Sequence, residues 1–228
     1  MENGAIVTNT TPVNVGNDGT RGNRLVVDSG AFLFTKNWNV ANGGNVNLGK
    51  QGVEDGENAI FVGDGASLYT RVFWGYGTGN ELSISNGTVS ATKFDMTKGT
   101  NTFHFAGAAP KLLSLATMIT GAECTFSFDV PASGWAEAPM QLTKAGAYTV
   151  SADNNLILQV NAREFRKNGG GKVPLAKYNG SGKITFADAL ISRWNGELAS
   201  SGCSVAYDSA ARTLYLTVVE PELVIMIR

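Results

Sequence analysis

The fold of this chain is decided by the stretch Asn80-Glu-Leu-Ser-Ile-Ser-Asn-Gly-Thr-Val-Ser-Ala-Thr92. Leu82 and Ile84 occupy alternate positions and would point to one face of a strand. Asn86-Gly87 is a turn signal, because both residue types tolerate the backbone angles of tight corners, and Val89 restarts the alternation. The stretch therefore predicts two short strands with a corner between them.

The same pattern occurs twice upstream and once, more loosely, downstream: Asn23-Arg-Leu-Val-Val-Asp-Ser-Gly-Ala-Phe-Leu-Phe-Thr35, Asn58-Ala-Ile-Phe-Val-Gly-Asp-Gly-Ala-Ser-Leu-Tyr-Thr70 and Asn101-Thr-Phe-His-Phe-Ala-Gly107. The leading Asn residues are 35, 22 and 21 positions apart. A repeat of this length, made of short alternating strands, is typical of a β-solenoid. A leucine-rich repeat has a similar period but needs a helical segment in each turn, which these Gly- and Thr-rich links do not supply.

The repeat assigns a role to each position. We expect the apolar pairs of successive coils to stack in register: Leu25/Val27, Ile60/Val62 and Leu82/Ile84. A glycine after each pair would supply the unusual backbone angles of a sharp corner: Gly30, Gly65 and Gly87. The leading Asn side chains would hydrogen-bond from one coil to the next: Asn23, Asn58, Asn80 and Asn101.

These patterns divide the chain into two parts. Residues 1–160 are predicted to form solenoid coils, regular over 23–107 and looser over 108–160, with residues 1–22 as an irregular first coil or edge cover. Residues 161–228 are predicted to form a capping region with one short helix over 185–196 and two closing strands. In that helix Thr185 and Asp188 have capping-box spacing and Gly196 is the expected stop.

The repeat rhythm is interrupted at three places: residues 36–57, 69–77 and 163–172. The first is an inserted loop whose Glu54-Asp-Gly-Glu57 cluster has oxygen ligands for a hard cation but lacks the spacing of known calcium loops, and is otherwise a polar surface turn. The third is a basic, glycine-rich turn. Its run Gly169-Gly-Gly171 lacks the Gly-Lys-Ser/Thr ending of a phosphate-binding loop.

Composition narrows the classes of partner. Charged residues make up 16% of the chain and the formal net charge is -1, so no concentrated basic face for nucleic acid or an anionic membrane is expected. No apolar stretch is long enough to span a bilayer, and the start lacks the features of a signal peptide. Cys124 and Cys203 have no metal-ligand spacing, and either form a disulfide or are two buried thiols.

Aromatic residues supply the candidate binding surface. Tyr69, Phe73, Trp74 and Tyr76 lie close together between glycines, and a surface cluster of this kind would stack on sugar rings or anchor a protein partner. The alternative is that these rings fill the interior of a widened coil beside the inserted loop.

No residue pattern predicts catalysis. Asp28 and Asp64 occupy nearly equivalent positions just before two corner glycines, where acids are usually solvated. His104, between Phe103 and Phe105, is expected to be an exposed strand residue without a Ser or Cys partner. We therefore expect no enzyme activity, no cofactor and no metal.

The repeated Asn-x-Leu-x-Val/Ile-x-x-Gly unit resembles the passenger repeats of bacterial autotransporter-like and adhesin-like surface proteins. The later stretch Phe126-Ser-Phe-Asp-Val-Pro-Ala-Ser-Gly-Trp-Ala-Glu-Ala-Pro-Met140, with Leu214-Tyr-Leu-Thr-Val218, is similar to the C-terminal portion of such proteins. The resemblance covers about residues 20 to 219 and implies an all-β, right-handed parallel β-helix with an irregular C-terminal cap.

The resemblance also implies a structural or adhesive role at the cell surface or outside the cell. Partners would be a surface glycan or protein, neighbouring repeats of a larger chain, or further copies stacked end to end. Three alternatives stay open: a polysaccharide lyase or glycosidase built on a β-helix, a phage tail or spike component, and a self-assembling fibre subunit.

Overall fold

The protein is mostly β-strand. The structure is a computed structural model that describes residues 1, 4–9, 11–16, 20–35, 44–49, 56–96, 99–120, 123–143, 148–150, 155–180 and 184–219.

The strands of the first half are short, apart from two of nine residues. They are β1 (Ile6–Asn9), β2 (Val13–Val15), β3 (Arg24–Val27), β4 (Phe32–Thr35), β5 (Asn45–Leu48), β6 (Ala59–Gly63), β7 (Ser67–Gly75), β8 (Asn80–Ser85), β9 (Thr88–Met96) and β10 (Thr100–Ala106).

Within its described residues, the second half adds nine strands and two α-helices. They are β11 (Lys111–Thr120), β12 (Glu123–Asp129), β13 (Met140–Leu142), β14 (Tyr148–Val150), β15 (Leu156–Asn161), α1 (Arg163–Lys167), β16 (Gly171–Tyr178), β17 (Ile184–Phe186), α2 (Asp188–Leu198), β18 (Cys203–Asp208) and β19 (Thr213–Val218).

Two parallel sheets carry most of these strands. The first sheet has the order β1-β4-β7-β9-β11-β13-β16 and then turns antiparallel through β19 and β18, while β2 and β5 join it beside β7. The second sheet has the order β3-β6-β8-β10-β12-β15, with every neighbouring pair parallel. From β6 to β13 the chain alternates between the two sheets, so each repeat contributes one strand to each; such a pair of successive strands is here called a coil.

The predicted stacking of apolar residues is confirmed. Leu25 aligns with Ile60 and Ile60 with Leu82, and the neighbouring column aligns in the same way. Both columns continue into the later coils through aromatic and aliphatic residues: Phe103, Phe126 and Leu158 in one, Phe105, Phe128 and Val160 in the other. The core is therefore continuous from coil to coil.

Stacked phenylalanines fill this core in the middle coils. The rings of Phe103 and Phe126 are 5.5 Å apart, and those of Phe105 and Phe128 are 5.0 Å apart and nearly parallel at 12°. Offset stacking of this kind adds to the stability that burial alone gives.

The predicted asparagine ladder is confirmed in part: Asn23 and Asn58 are joined through their side-chain amides, whereas the contact between Asn58 and Asn80 uses a backbone N–H. Asn58 Oδ1 accepts hydrogen bonds from the side-chain Nδ2 of Asn23 at 2.9 Å and from its backbone N–H at 3.2 Å. Asn80 Oδ1 accepts one from the backbone N–H of Asn58 at 3.2 Å. In the next coils Asn101 aligns with Asn80, and Cys124 aligns with Asn101. The position thus changes from an amide to a buried thiol.

The corners differ from the prediction in one coil. Gly30 and Gly65 have positive φ angles of 73° and 75°, as expected. At the third corner Asn86, with φ 57°, has the left-handed conformation instead of Gly87. Gly87 is required for another reason, because a Cβ there would lie 2.6 Å from the carbonyl oxygen of Val62.

The inserted segment contains a strand that the sequence did not indicate. β5 aligns residue by residue with the second half of β7, from Asn45 opposite Val72 to Leu48 opposite Gly75. The insertion therefore lengthens the first sheet by pairing with β7. Residues 36–43 and 50–55 lie outside the described part of the chain.

The predicted C-terminal helix is confirmed, but both of its predicted ends are wrong. α2 begins at Asp188 after Ala187, which makes no side-chain cap, so Thr185 does not form a capping box. The helix continues through Gly196, and the chain leaves it only at Gly202, a left-handed residue after a short 3₁₀ turn. Trp194 is buried and its Nε1 donates to the carbonyl oxygen of Leu156, which attaches the helix to the edge of the second sheet.

The structure also describes the 163–172 turn, the closing strands and the two cysteines. The predicted turn over 163–172 begins with a second short helix, α1. The closing strands β18 and β19 form the expected antiparallel pair. Cys124 and Cys203 are both free and buried, which agrees with the two-thiol alternative, and burial raises the pKa of Cys124 to about 12.

Candidate functional site

His104 lies at the centre of a polar cluster on the outward face of the second sheet. Phe103 and Phe105 are fully buried, so the strand alternation directs His104 outward. β10 runs between β8 and β12, and the register places Ser83 beside His104 on one side. One histidine is thereby surrounded by side chains from two neighbouring coils.

Both ring nitrogens of His104 have partners. Nδ1 lies 3.2 Å from Ser83 Oγ and 3.6 Å from Glu81 Oε1, and Nε2 lies 3.0 Å from Asp129 Oδ2. The His104 side chain is 27% exposed, and each of the two carboxylate side chains is 45% exposed. The expectation of an exposed histidine without a serine partner is therefore wrong.

The two carboxylates favour the charged imidazolium. The pKa of His104 is raised, mainly by the nearby Glu81 carboxylate and also by Asp129, against an opposing effect of partial burial. The pKa of Glu81 is lowered, mainly by its interaction with His104. The cluster is therefore an ion triad at mildly acidic pH.

The arrangement also has the parts of a nucleophilic site: a serine, a histidine and a carboxylate in sequence. Ser83 would lose its proton to Nδ1 only when His104 is neutral, and the raised pKa opposes that state. The cluster lies on the outward face of the second sheet, and other residues line the cavities of about 490 and 370 Å³. Its geometry suits an ion-pair network better than a reaction centre.

The predicted aromatic cluster is divided among three places. Phe73 is fully buried and contacts Phe94 at 5.7 Å between ring centroids, so the inclusion of Phe73 in a surface cluster is wrong. Tyr69 is half-buried and stacks on Phe32 at 5.1 Å, away from the other two. Trp74 and Tyr76 remain together.

Trp74 and Tyr76 form a stacked pair, here called the Trp74–Tyr76 platform. Their ring centroids are 5.7 Å apart and their planes differ by 8°. Lys93 Nζ lies 4.9 Å from the centre of the Trp74 ring and 2.7 Å from Asp95 Oδ2. The pKa of the Tyr76 hydroxyl is raised by partial burial and by the Asp95 charge.

Amides border this platform on its other side. Asn47 aligns with Trp74 across the β5–β7 pair, and its Nδ2 donates to Asn14 Oδ1 at 2.7 Å. Aromatic faces beside amide and charged groups are the combination that binds sugar rings or the polar rim of a protein partner.

A polar groove of about 370 Å³ lies where the first sheet changes from parallel to antiparallel pairing. Lys172 Nζ is 3.9 Å from the centre of the Tyr215 ring, and Asn179 Nδ2 donates to Gln141 Oε1 at 3.2 Å. The groove depends on the pairing of β16 with β19, which are about forty residues apart in sequence, so no local pattern indicated it.

The acidic candidates either belong to the corners of the repeat or lie outside the described residues. Asp28 Oδ1 accepts a hydrogen bond from the backbone N–H of Ser29 at 2.8 Å, which stabilises the corner. Asp64 itself has a positive φ of 27°. Glu54 and Asp55 lie outside the described residues. Within the described ranges, no group of three His, Cys, Asp or Glu side chains could hold a metal ion.

No family model, curated protein or solved structure matches this chain. In the part of the chain that the structure describes, none of the helices has the length and apolar character to cross a membrane.

Proposed function

We propose that this chain is a right-handed parallel β-helix that serves as a non-catalytic structural or adhesive module of a secreted or cell-surface bacterial protein. The observation that carries the proposal is the pair of parallel sheets whose apolar columns align through successive coils. Such stacking makes a rigid rod in which each coil depends on its neighbours. The right-handed assignment is supported by the strong bias of crossovers between parallel strands of one sheet.

The two ends of the stack support different roles. α2 and the antiparallel β19–β18 pair cover the C-terminal end. At the other end, β1 is the last strand of the first sheet among the described residues, and its Ile6 is 76% exposed. β3 is the last strand of the second sheet, but Met1 covers part of its edge: the Met1 ammonium donates to the Val26 carbonyl oxygen, and the Met1 carbonyl oxygen accepts from the Asp28 N–H, both at 2.9 Å. An open edge pairs readily with another strand, whereas a covered end does not.

This asymmetry favours pairing at the N-terminal end over an endless fibre, which needs two complementary ends. Light scattering on the purified chain tests it: monomers or dimers are expected. Growth into long polymers would support the fibre alternative instead, and a stable trimer would support the phage spike alternative.

The adhesive part of the proposal rests on the Trp74–Tyr76 platform, and a surface glycan is the ligand that its aromatic and amide groups suit best. Retention on a glycan array should fall strongly in Trp74→Ala. Tyr69→Ala is the matched control, because Tyr69 is a half-buried outward tyrosine on the same strand but stacks elsewhere. Equal retention of both variants and the unmodified chain would contradict the platform as the binding surface.

A hydrolase is the second candidate, because Ser83, His104 and Asp129 lie in hydrogen-bonding order. Incubation with a panel of polysaccharides and simple esters tests it. Turnover that disappears in both Ser83→Ala and His104→Gln would overturn the non-catalytic proposal. No turnover above the level of these variants is the expected result.

A further inference from the structure

A basic pocket lies near the C-terminal end of the stack, where β15, α1 and the start of β18 meet. Its volume is about 490 Å³, within the usual range for small-ligand sites. Three basic residues line it, Arg163, Arg166 and Lys167, together with Ala162, Ser201 and Cys203.

Arg166 is held in place by the fold. Its Nη2 lies 3.4 Å from the Sγ of Cys203, which is buried at the start of β18. Its Nε is buried and has no hydrogen-bond partner among the described residues. A guanidinium keeps its charge at any physiological pH, so this side chain places a fixed positive charge in the pocket wall.

The positive charge of the pocket is only partly balanced. Lys167 Nζ pairs with Glu164 Oε1 at 2.7 Å, and both side chains are largely exposed. Within the described ranges, neither Arg163 nor Arg166 has a carboxylate at ion-pair distance. A partly buried guanidinium without a counter-charge loses hydration free energy that nothing replaces, and a bound anion compensates for that loss.

We propose that the basic pocket binds a ligand through a planar or tetrahedral oxyanion, either a free inorganic anion or the acidic group of a sugar. Arg166 and Arg163 would donate charge-assisted hydrogen bonds to the oxyanion. The size of the pocket leaves room for a sugar ring beside its acidic group. The proposal does not depend on the Trp74–Tyr76 platform, which lies on another part of the molecule.

Isothermal titration of the whole chain at fixed ionic strength tests this, with sodium sulfate, glucuronate and glucose as probes. Saturable binding of sulfate or glucuronate, with none of glucose, is expected. Tighter binding of glucuronate than of sulfate would identify an acidic sugar as the source, and the reverse would identify a free anion. Equal heats for all three probes would overturn the proposal.

Three variants locate the binding. Arg166→Gln should weaken anion binding about tenfold, which corresponds to the free energy of one charge-assisted hydrogen bond. Because that change could disturb the contact with Cys203, the exposed Arg163→Gln is the second variant, and it should weaken binding several-fold without altering the melting temperature. Lys111→Gln removes one positive charge from the first sheet and should leave the affinity unchanged. Equal affinity in all three variants would place the anion elsewhere.

Discussion

His104 Nε2 lies 3.0 Å from Asp129 Oδ2, although the two residues are 25 positions apart and belong to neighbouring coils. With Glu81 on the opposite side, this contact makes the histidine the centre of a charged triad spanning three strands of the second sheet. The triad links stability of the stack to pH.

Stability should be greatest at mildly acidic pH. The folded-state pKa of His104 is above its ordinary value of 6.5, so its contribution is full below pH 6.5 and is lost as the pH rises through the raised pKa. The pKa of Glu81 is below its ordinary value of 4.5, so its contribution is present above pH 4.5 and is lost as the pH falls through the lowered pKa. Both contributions are therefore complete between pH 4.5 and 6.5.

The measurement is the melting temperature from pH 4 to 9 for the unmodified chain and for His104→Gln. The difference between the two curves should peak in that window and correspond to less than about 1 kcal/mol in the free energy of unfolding, because the carboxylates are partly exposed. Ser127→Ala, which alters the β12 residue opposite His104 but keeps both carboxylates, should retain the pH dependence. Parallel curves for His104→Gln and the unmodified chain would show that the triad carries no linkage.

Asn80→Ala should destabilise the stack by about 1–3 kcal/mol, the cost of leaving buried polar groups unpaired. Asn80 is buried, accepts from the backbone N–H of Asn58 and donates to the carbonyl oxygen of Tyr76. Asn47→Ala is the control, because its amide contact with Asn14 is exposed, and its cost should be within about 0.5 kcal/mol. Urea unfolding measures both, and similar losses would argue against a structural role of the ladder.

Much of the fold could be predicted because the repeat is visible in the sequence as a regular spacing of asparagines and apolar residues. The phase of Asn23, Asn58 and Asn80 marks the coils, and the alternation after each marks the inward residues. β5 was not predicted, because Asn45 to Leu48 is a short segment whose strand state depends on its pairing with β7. The ends of α2 were missed for a similar reason, since packing of Trp194 against β15 outweighs the weak helix preference of Gly196.

The His104 cluster was half predictable. Ser83 precedes His104 by 21 positions, the same spacing as Asn80 and Asn101, so the period alone places them side by side. The contact with Asp129 needed the register of the next coil, where Cys124 replaces the marker asparagine. No pattern in the sequence supplied that register.

Phe105→Ala should destabilise the chain by about 3–5 kcal/mol, because the fully buried ring stacks on Phe128 and its removal leaves a cavity between coils. Phe61→Ala is the matched control: Phe61 is a phenylalanine in the same sheet, but it is only partly buried. Its cost should be clearly smaller. Equal losses in chemical denaturation would contradict an interior phenylalanine stack.

Gly196→Ala should stabilise the chain by about 0.5–1 kcal/mol, because alanine is the better helix former and a Cβ at this position meets no atom within 4 Å. Gly87→Ala is the counterpart, since Gly87 also lacks a positive φ but an added Cβ would lie 2.6 Å from the Val62 carbonyl oxygen. That variant should be destabilised. Melting temperatures of the two variants decide the question: destabilisation by Gly196→Ala would mean that the helix ends at Gly196 after all.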